Sequence, residues 1–142
     1  MNTFPGTILP QSSDTKEIQR SIFDLLGKVN SVGAGVMPTG ISTLTYSSNV
    51  SLDASDGSVF IVTVMDTQAW ALGAPANATK SQRITVMIVG HYGGAAGTLT
   101  WNSIYKMATW SMPSDGYSRS IDFVYNGTNW IEVSRTTADV PN

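Results

Sequence analysis

Charged residues make up 13% of this 142-residue chain, against a usual value of about 25%, and the formal net charge is −2. That length fits one domain plus an appendage, and the absence of a basic footprint argues against nucleic acid or an anionic membrane as partner. There is no cysteine, which removes disulfides and thiolate chemistry and leaves the redox compartment open.

Residues 1–13 carry Pro5 and Pro10, which fix φ and withhold two backbone donors, with Phe4, Ile8 and Leu9 around and between them. Two readings fit the segment: a disordered start, the default for a terminus, or an extended docking arm whose apolar hooks (Phe4, Pro5, Ile8, Leu9, Pro10) seat on a partner surface. It has no basic n-region and no apolar h-region, so a secretory signal peptide is not expected. The longest apolar run, Val59 to Met65, falls far below the roughly 20 residues of a membrane span. A soluble protein, made in the cytoplasm of its cell, is the expectation.

Residues 14–33 are expected to form a helix. Ile18, Ile22, Leu25, Val29 and Val32 follow the alternating three- and four-residue spacing of a heptad seam, with Leu26 beside it. Asp14 is an N-cap with Glu17 three positions on, and Gly33 and Gly35 are the stop. Lys16, Glu17, Arg20, Asp24 and Lys28 lie opposite the seam, and Asp24 to Lys28 is a favourably ordered pair. Two packings satisfy such a seam: against the helix's own domain, or against sister copies in a parallel bundle. β-branched residues at both seam positions lean toward three or more strands rather than two, while Leu25 suits a dimer equally well. Two heptads are marginal alone, so a trimer requires that the following domain trimerise as well.

Residues 34–40 form a glycine-rich hinge, and from Ile41 the hydrophobic period changes to two. Short strands are expected over Ile41–Tyr46 and Val50–Leu52, then a turn at Ala54–Gly57. Val59–Met65 is apolar at every position but one and reads as a central strand, followed by Ala69–Leu72 and Gln82–Val89. A glycine loop, Gly90–Gly97, leads into Thr98–Trp101. Ser120–Tyr125 and Asn129–Arg135 flank Asn126-Gly127, the strongest hairpin signal in the chain. Seven to nine strands with turns every 8–12 residues predict, for residues 41–142, a jelly-roll-like β-sandwich knob.

Little in this stretch points to chemistry. His91 is the single histidine and has no neighbouring carboxylate in sequence, so neither a zinc site nor a nucleophile constellation is expected. Gly90–Gly97 lacks the Gly-Lys-Ser/Thr of a phosphate cradle. A glycosidase needs two carboxylates facing across a groove, and Asp53, Asp56, Asp66, Asp115 and Asp139 fall in turns or at strand ends. Asp122 and Glu132 flank the hairpin and read as members of a solvated sheet face. No enzyme activity and no cofactor are expected. Trp101, Tyr125 and Trp130 sit at strand positions and read as packing residues. Tyr92, Trp110 and Tyr117 lie in predicted loops and are the candidates for an outward contact with glycan or protein.

Thr98-Leu99-Thr100-Trp101-Asn102-Ser103 with Tyr105-Lys106, then Phe123-Val124-Tyr125-Asn126-Gly127 and Trp130-Ile131-Glu132-Val133, resembles a β-domain of bacteriophage virion proteins. Upstream, Val50-Ser51-Leu52, Leu72-Gly73-Ala74-Pro75 and Gln82-Arg83-Ile84-Thr85-Val86 extend the resemblance over about residues 45–135. Lys80-Ser81 departs from it, since an Asp-Gly turn is expected before Gln82. The resemblance implies a homotrimeric knob of the kind found on head fibres, tail fibres and capsid decoration proteins, with the Asn-Gly–Trp hairpin serving folding and trimer packing. The expected place is then the virion surface, with the major capsid protein or another virion protein as partner. A helix of about 19 residues spans only about 28 Å, which suits a cement protein better than a long-shafted tail fibre. The alternative is a tail-fibre adhesin that contacts host surface glycan.

Overall fold

The computed structural model describes residues 37–142. The predicted arm (1–13), the predicted helix (14–33) and residues 34–36 of the hinge lie outside the described residues, and with them every arm and seam residue from Phe4 to Val32.

Ten strands follow in order: β1 (Ile41–Leu44), β2 (Asn49–Val50), β3 (Val59–Val64), β4 (Trp70–Leu72), β5 (Arg83–Gly90), β6 (Leu99–Trp101), β7 (Tyr105–Lys106), β8 (Tyr117–Tyr125), β9 (Trp130–Arg135) and β10 (Val140–Pro141). They make a seven-stranded sheet in the order β1-β3-β5-β8-β9-β7, with β10 added on β8, and a three-stranded sheet in the order β2-β4-β6. The mainly β, two-sheet architecture is as the alternating pattern predicts.

The pairing departs from a jelly roll, whose neighbouring strands run antiparallel. Here β1, β3 and β5 are parallel neighbours in the larger sheet, with Ile41 beside Val59 and Val59 beside Thr85. β2, β4 and β6 are parallel neighbours in the smaller one. The chain therefore alternates between the two sheets from β1 to β6, laying each pass beside the one before, like turns of a flattened coil. Parallel neighbours cannot be joined by a tight turn, and the strand in the opposite sheet serves as the crossover. Antiparallel pairing begins only at β8, which runs against β5 on one side and β9 on the other.

Period-two alternation sets what lies between the sheets. Phe60, Val62 and Val64 of β3, Ile84, Val86 and Ile88 of β5, and Ile121 and Phe123 of β8 are buried, as are Val50, Trp70 and Leu72 from the smaller sheet. Each such side chain contributes about 1.5–3 kcal/mol relative to leaving it in water. Aromatic rings close the core at the hairpin end. Trp101 meets Tyr105 and Trp110 edge-on at 5.2 and 5.4 Å, Tyr105 meets Phe123 at 5.1 Å, and Tyr125 lies 4.9 Å from Trp130. Trp101, Tyr125 and Trp130 are thus packing residues, as their strand positions predict. Tyr105 is buried and its hydroxyl donates to the Gly73 carbonyl at 3.1 Å, and desolvation raises its pKa.

Successive coil turns are fastened by polar side chains. Asp53 caps a 3-10 turn at Ala54–Asp56 by accepting from the Ser55 amide, and its other oxygen accepts from Asn77 Nδ2 at 2.8 Å. Gln82 is buried, donating through Nε2 to the Ala54 carbonyl at 2.5 Å and accepting from the Thr79 amide at 3.1 Å. A buried amide without such partners is costly. The predicted hairpin is present: Asn126 Oδ1 accepts from the amides of Thr128 and Asn129, and Gly127 takes φ of 100°.

Candidate assembly surface

Of the three predicted outward rings, the structure presents one. Tyr92 is buried: its hydroxyl donates to the Pro113 carbonyl and its amide donates to Asp115 at 2.9 Å. Its place in a glycine loop hid this, because loop position says nothing about whether a ring folds back on the core. Desolvation raises the Tyr92 pKa, with the Asp115 charge adding to it. Trp110 is half-buried between Trp101 and the Arg135 guanidinium. Tyr117 remains exposed, at the first position of β8 rather than in a loop, beside Pro141. His91 is exposed.

The loop joining β7 to β8 carries Trp110 and is held at both ends by ion pairs. Arg135 donates through Nε and Nη2 to Glu132 and through Nη1 and Nη2 to the carbonyls of Thr109 and Ala108, while Glu132 also accepts from the Ala108 amide at 2.8 Å. These hydrogen bonds, the one from Arg135 foremost, hold the Glu132 carboxyl below the ordinary range and raise Arg135 in turn. Further along the loop, Asp139 accepts from the Ser114 amide at 3.1 Å and pairs with Arg119 at 2.6 Å, and it too is depressed. Tyr46 donates to Asp66 at 2.6 Å, and burial together with this carboxylate pushes the phenol up to about 12. Asp122 and Glu132 are not cross-strand neighbours: a β-bulge shifts the register between Asp122 and Phe123, so Asp122 opposes Ser134 and Glu132 opposes Phe123. Among the described residues, no three acidic or histidine side chains gather as a metal site would need.

Two surfaces remain. The first is the outer face of the larger sheet, turned away from the smaller sheet. Val59 and Ile61 of β3 and Met87 and Val89 of β5 point this way and are half-buried, with Ile61 directly beside Met87. Ile41 of the edge strand β1 sits next to Val59 and is 68% exposed. The polar residues of the face are mostly hydroxyls, and its carboxylate, Asp122, is held by Thr85 at 2.6 Å and by Ser134. The second surface is an open cleft of about 590 Å³ where the first coil turn leaves β1 and β2 as sheet edges, lined by Ser42, Thr43, Ser47, Asn49, Asp53 and neighbouring residues.

No known protein family, curated protein or solved structure matches the chain.

Proposed function

We propose that the protein is a structural component of a bacteriophage virion: a capsid decoration or cement protein that sits as a homotrimer on the surface of the assembled head. The observation that carries this reading is the use to which the ionisable side chains are put. Arg119, Arg135, Glu132, Asp139, Asp53 and Asp66 each tie one segment of backbone or side chain to another, and among the described residues the shifted carboxylates are all pulled down into their charged, bonded state. Groups held this way serve rigidity. A catalytic acid needs the opposite shift, with its pKa raised toward the working pH. The near-neutral composition and the virion-like hairpin residues supply the rest of the argument.

In this reading the seam of Ile18, Ile22, Leu25, Leu26, Val29 and Val32 joins three copies, and the arms carrying Phe4 to Pro10 grip neighbouring capsid subunits. Three linked weak contacts give an avidity far above any one of them. A trimer that binds only the assembled shell stabilises that shell by mass action. Deleting residues 1–12 is expected to leave a soluble trimer that no longer decorates heads; normal binding by the truncated chain overturns the docking half of the proposal. A tail-fibre adhesin for host glycan is the second reading, favoured by the exposed Tyr117 ring and the hydroxyl-lined cleft. Copy number per virion separates the two, since head decoration requires hundreds of copies and a tail part only a few to a few dozen.

A further inference from the structure

Asn126 is the one asparagine of the chain that is followed by glycine, and it stands at the exposed tip of the hairpin between β8 and β9. Its side-chain oxygen accepts from two backbone amides, Thr128 at 2.9 Å and Asn129 at 2.8 Å. Its own amide donates to the Asn129 carbonyl at 3.0 Å, so the main chain is tied down as well. Among the described residues, neither the Gly127 amide nor Asn126 Nδ2 makes a hydrogen bond. We propose that Asn126 is a self-modification site: the folded hairpin converts this asparagine to aspartate and isoaspartate through a cyclic imide formed with the Gly127 nitrogen. The proposal stands apart from the virion reading and needs no oligomer.

Such a step needs an electrophilic carbon, a nucleophile beside it and a place for the charge that develops. The hydrogen bond from Thr128 closes a ring containing both Asn126 Cγ and the Gly127 nitrogen, which keeps the reacting atoms together. Gly127, at φ of 100°, has no Cβ to hinder the approach. Water takes the Gly127 amide proton as that nitrogen bonds to Cγ. Negative charge gathers on Oδ1, where two amides already point, as donors do in an oxyanion hole. The Lys80 side chain runs along Gly127, its Cε 3.9 Å from the place a Cβ would take, so a cation stands near this charge too. The bond from Cγ to Nδ2 then breaks, and the nitrogen leaves as ammonia with a proton from water. Water opens the imide at Cγ to give aspartate, or at the main-chain carbonyl to give isoaspartate. Overall one water is consumed and one ammonia released. Either product adds a negative charge at the hairpin tip. Isoaspartate also adds a carbon to the main chain between Tyr125 and Trp130, which pair across the hairpin.

The test compares the full chain with a synthetic peptide of residues 120–135, both held at neutral pH and one temperature. Trypsin releases this same segment from the protein, since Arg119 precedes it and Arg135 ends it. Chromatography with mass spectrometry then counts the asparagine, aspartate and isoaspartate forms at Asn126, with Asn129 in the same segment as internal reference. Conversion at Asn126 is expected to run at least about tenfold faster in the folded chain than in the peptide, a modest share of what oxyanion donors supply in enzymes. Asn129 is expected to stay intact over the same interval. Equal rates in chain and peptide overturn the proposal, because the hairpin then contributes nothing. Slower conversion in the chain overturns it as well, and makes the hairpin a shield for Asn126.

Discussion

The guanidinium carbon of Arg135 stands 5.7 Å from the centre of the Trp110 ring, on β9 and facing the loop that joins β7 to β8. The same side chain pairs with Glu132 and donates to two loop carbonyls, so one residue holds both the backbone and the indole of that loop. Arg135→Ala is expected to destabilise the fold by about 2 kcal/mol, because charge-assisted hydrogen bonds and a ring contact are lost together. Arg135→Lys should recover little of this, since an ammonium cannot bridge the carboxylate and both carbonyls at once. Urea midpoints at one fixed protein concentration, with Trp fluorescence as readout, check both variants.

Acid should weaken the fold in a defined window. The pKa values of Asp53, Asp66, Glu132 and Asp139 are lowered on folding. A lowered carboxylate contributes stability that is present above its unfolded value, about 4, and lost as pH falls through the lower folded value. Melting temperature is therefore expected to hold from neutral pH to about pH 5 and to decline below about pH 4. Asp139→Asn should begin less stable at neutral pH and lose less on acidification; parallel pH profiles for the two chains would contradict the assignment.

Ser81 adopts φ of 74° in the turn before β5, the left-handed region that suits glycine. The turn is closed by the Gln82 amide donating to the Thr79 carbonyl at 2.9 Å. Ser81→Gly should stabilise the protein by about 0.5–1 kcal/mol by removing Cβ strain. An unchanged or lower melting temperature contradicts this.

Gly97 lies where the chain turns into β6. A Cβ at this position would fall 2.0 Å from the Gln68 carbonyl oxygen, which is backbone and has no freedom to swing aside. Gly97→Ala is expected to cost about 3 kcal/mol or more through the forced backbone shift. Thermal melting of the variant, read beside Gly93→Ala as a reference for positive-φ strain without a clash, measures it.

The strands themselves were legible because period-two alternation reports which residues share a face. Val59–Met65, Gln82–Val89 and the segments around Asn126-Gly127 correspond to β3, β5, β8 and β9 within a few residues. Alternation carries no information about which neighbour a strand takes or in which direction, and the coil was missed for that reason. Long intervals such as the eighteen positions between Ile41 and its partner Val59 leave room for a strand in the other sheet. The apolar outer positions of β3 predict a central strand, and the strand is central; but only Phe60, Val62 and Val64 meet the core, and Ile61 looks outward. The inward turn of Tyr92 and the polar contacts of Gln82 and Arg135 are invisible in sequence because their partners, Pro113, Ala54 and Ala108, stand 21 to 28 positions away. Pairings at such separations leave no local signature.

β8 lies between β5 and β9, and that placement governs the timing of biogenesis. A nascent polypeptide that has cleared the ribosome only through residue 101 has β1 to β6, the strands of the coil, yet β5 still offers a full row of amides and carbonyls to any passing extended chain. Quenching that row requires residues 117–125, translated later, so slow elongation or premature termination between the two segments favours misassociation over productive folding.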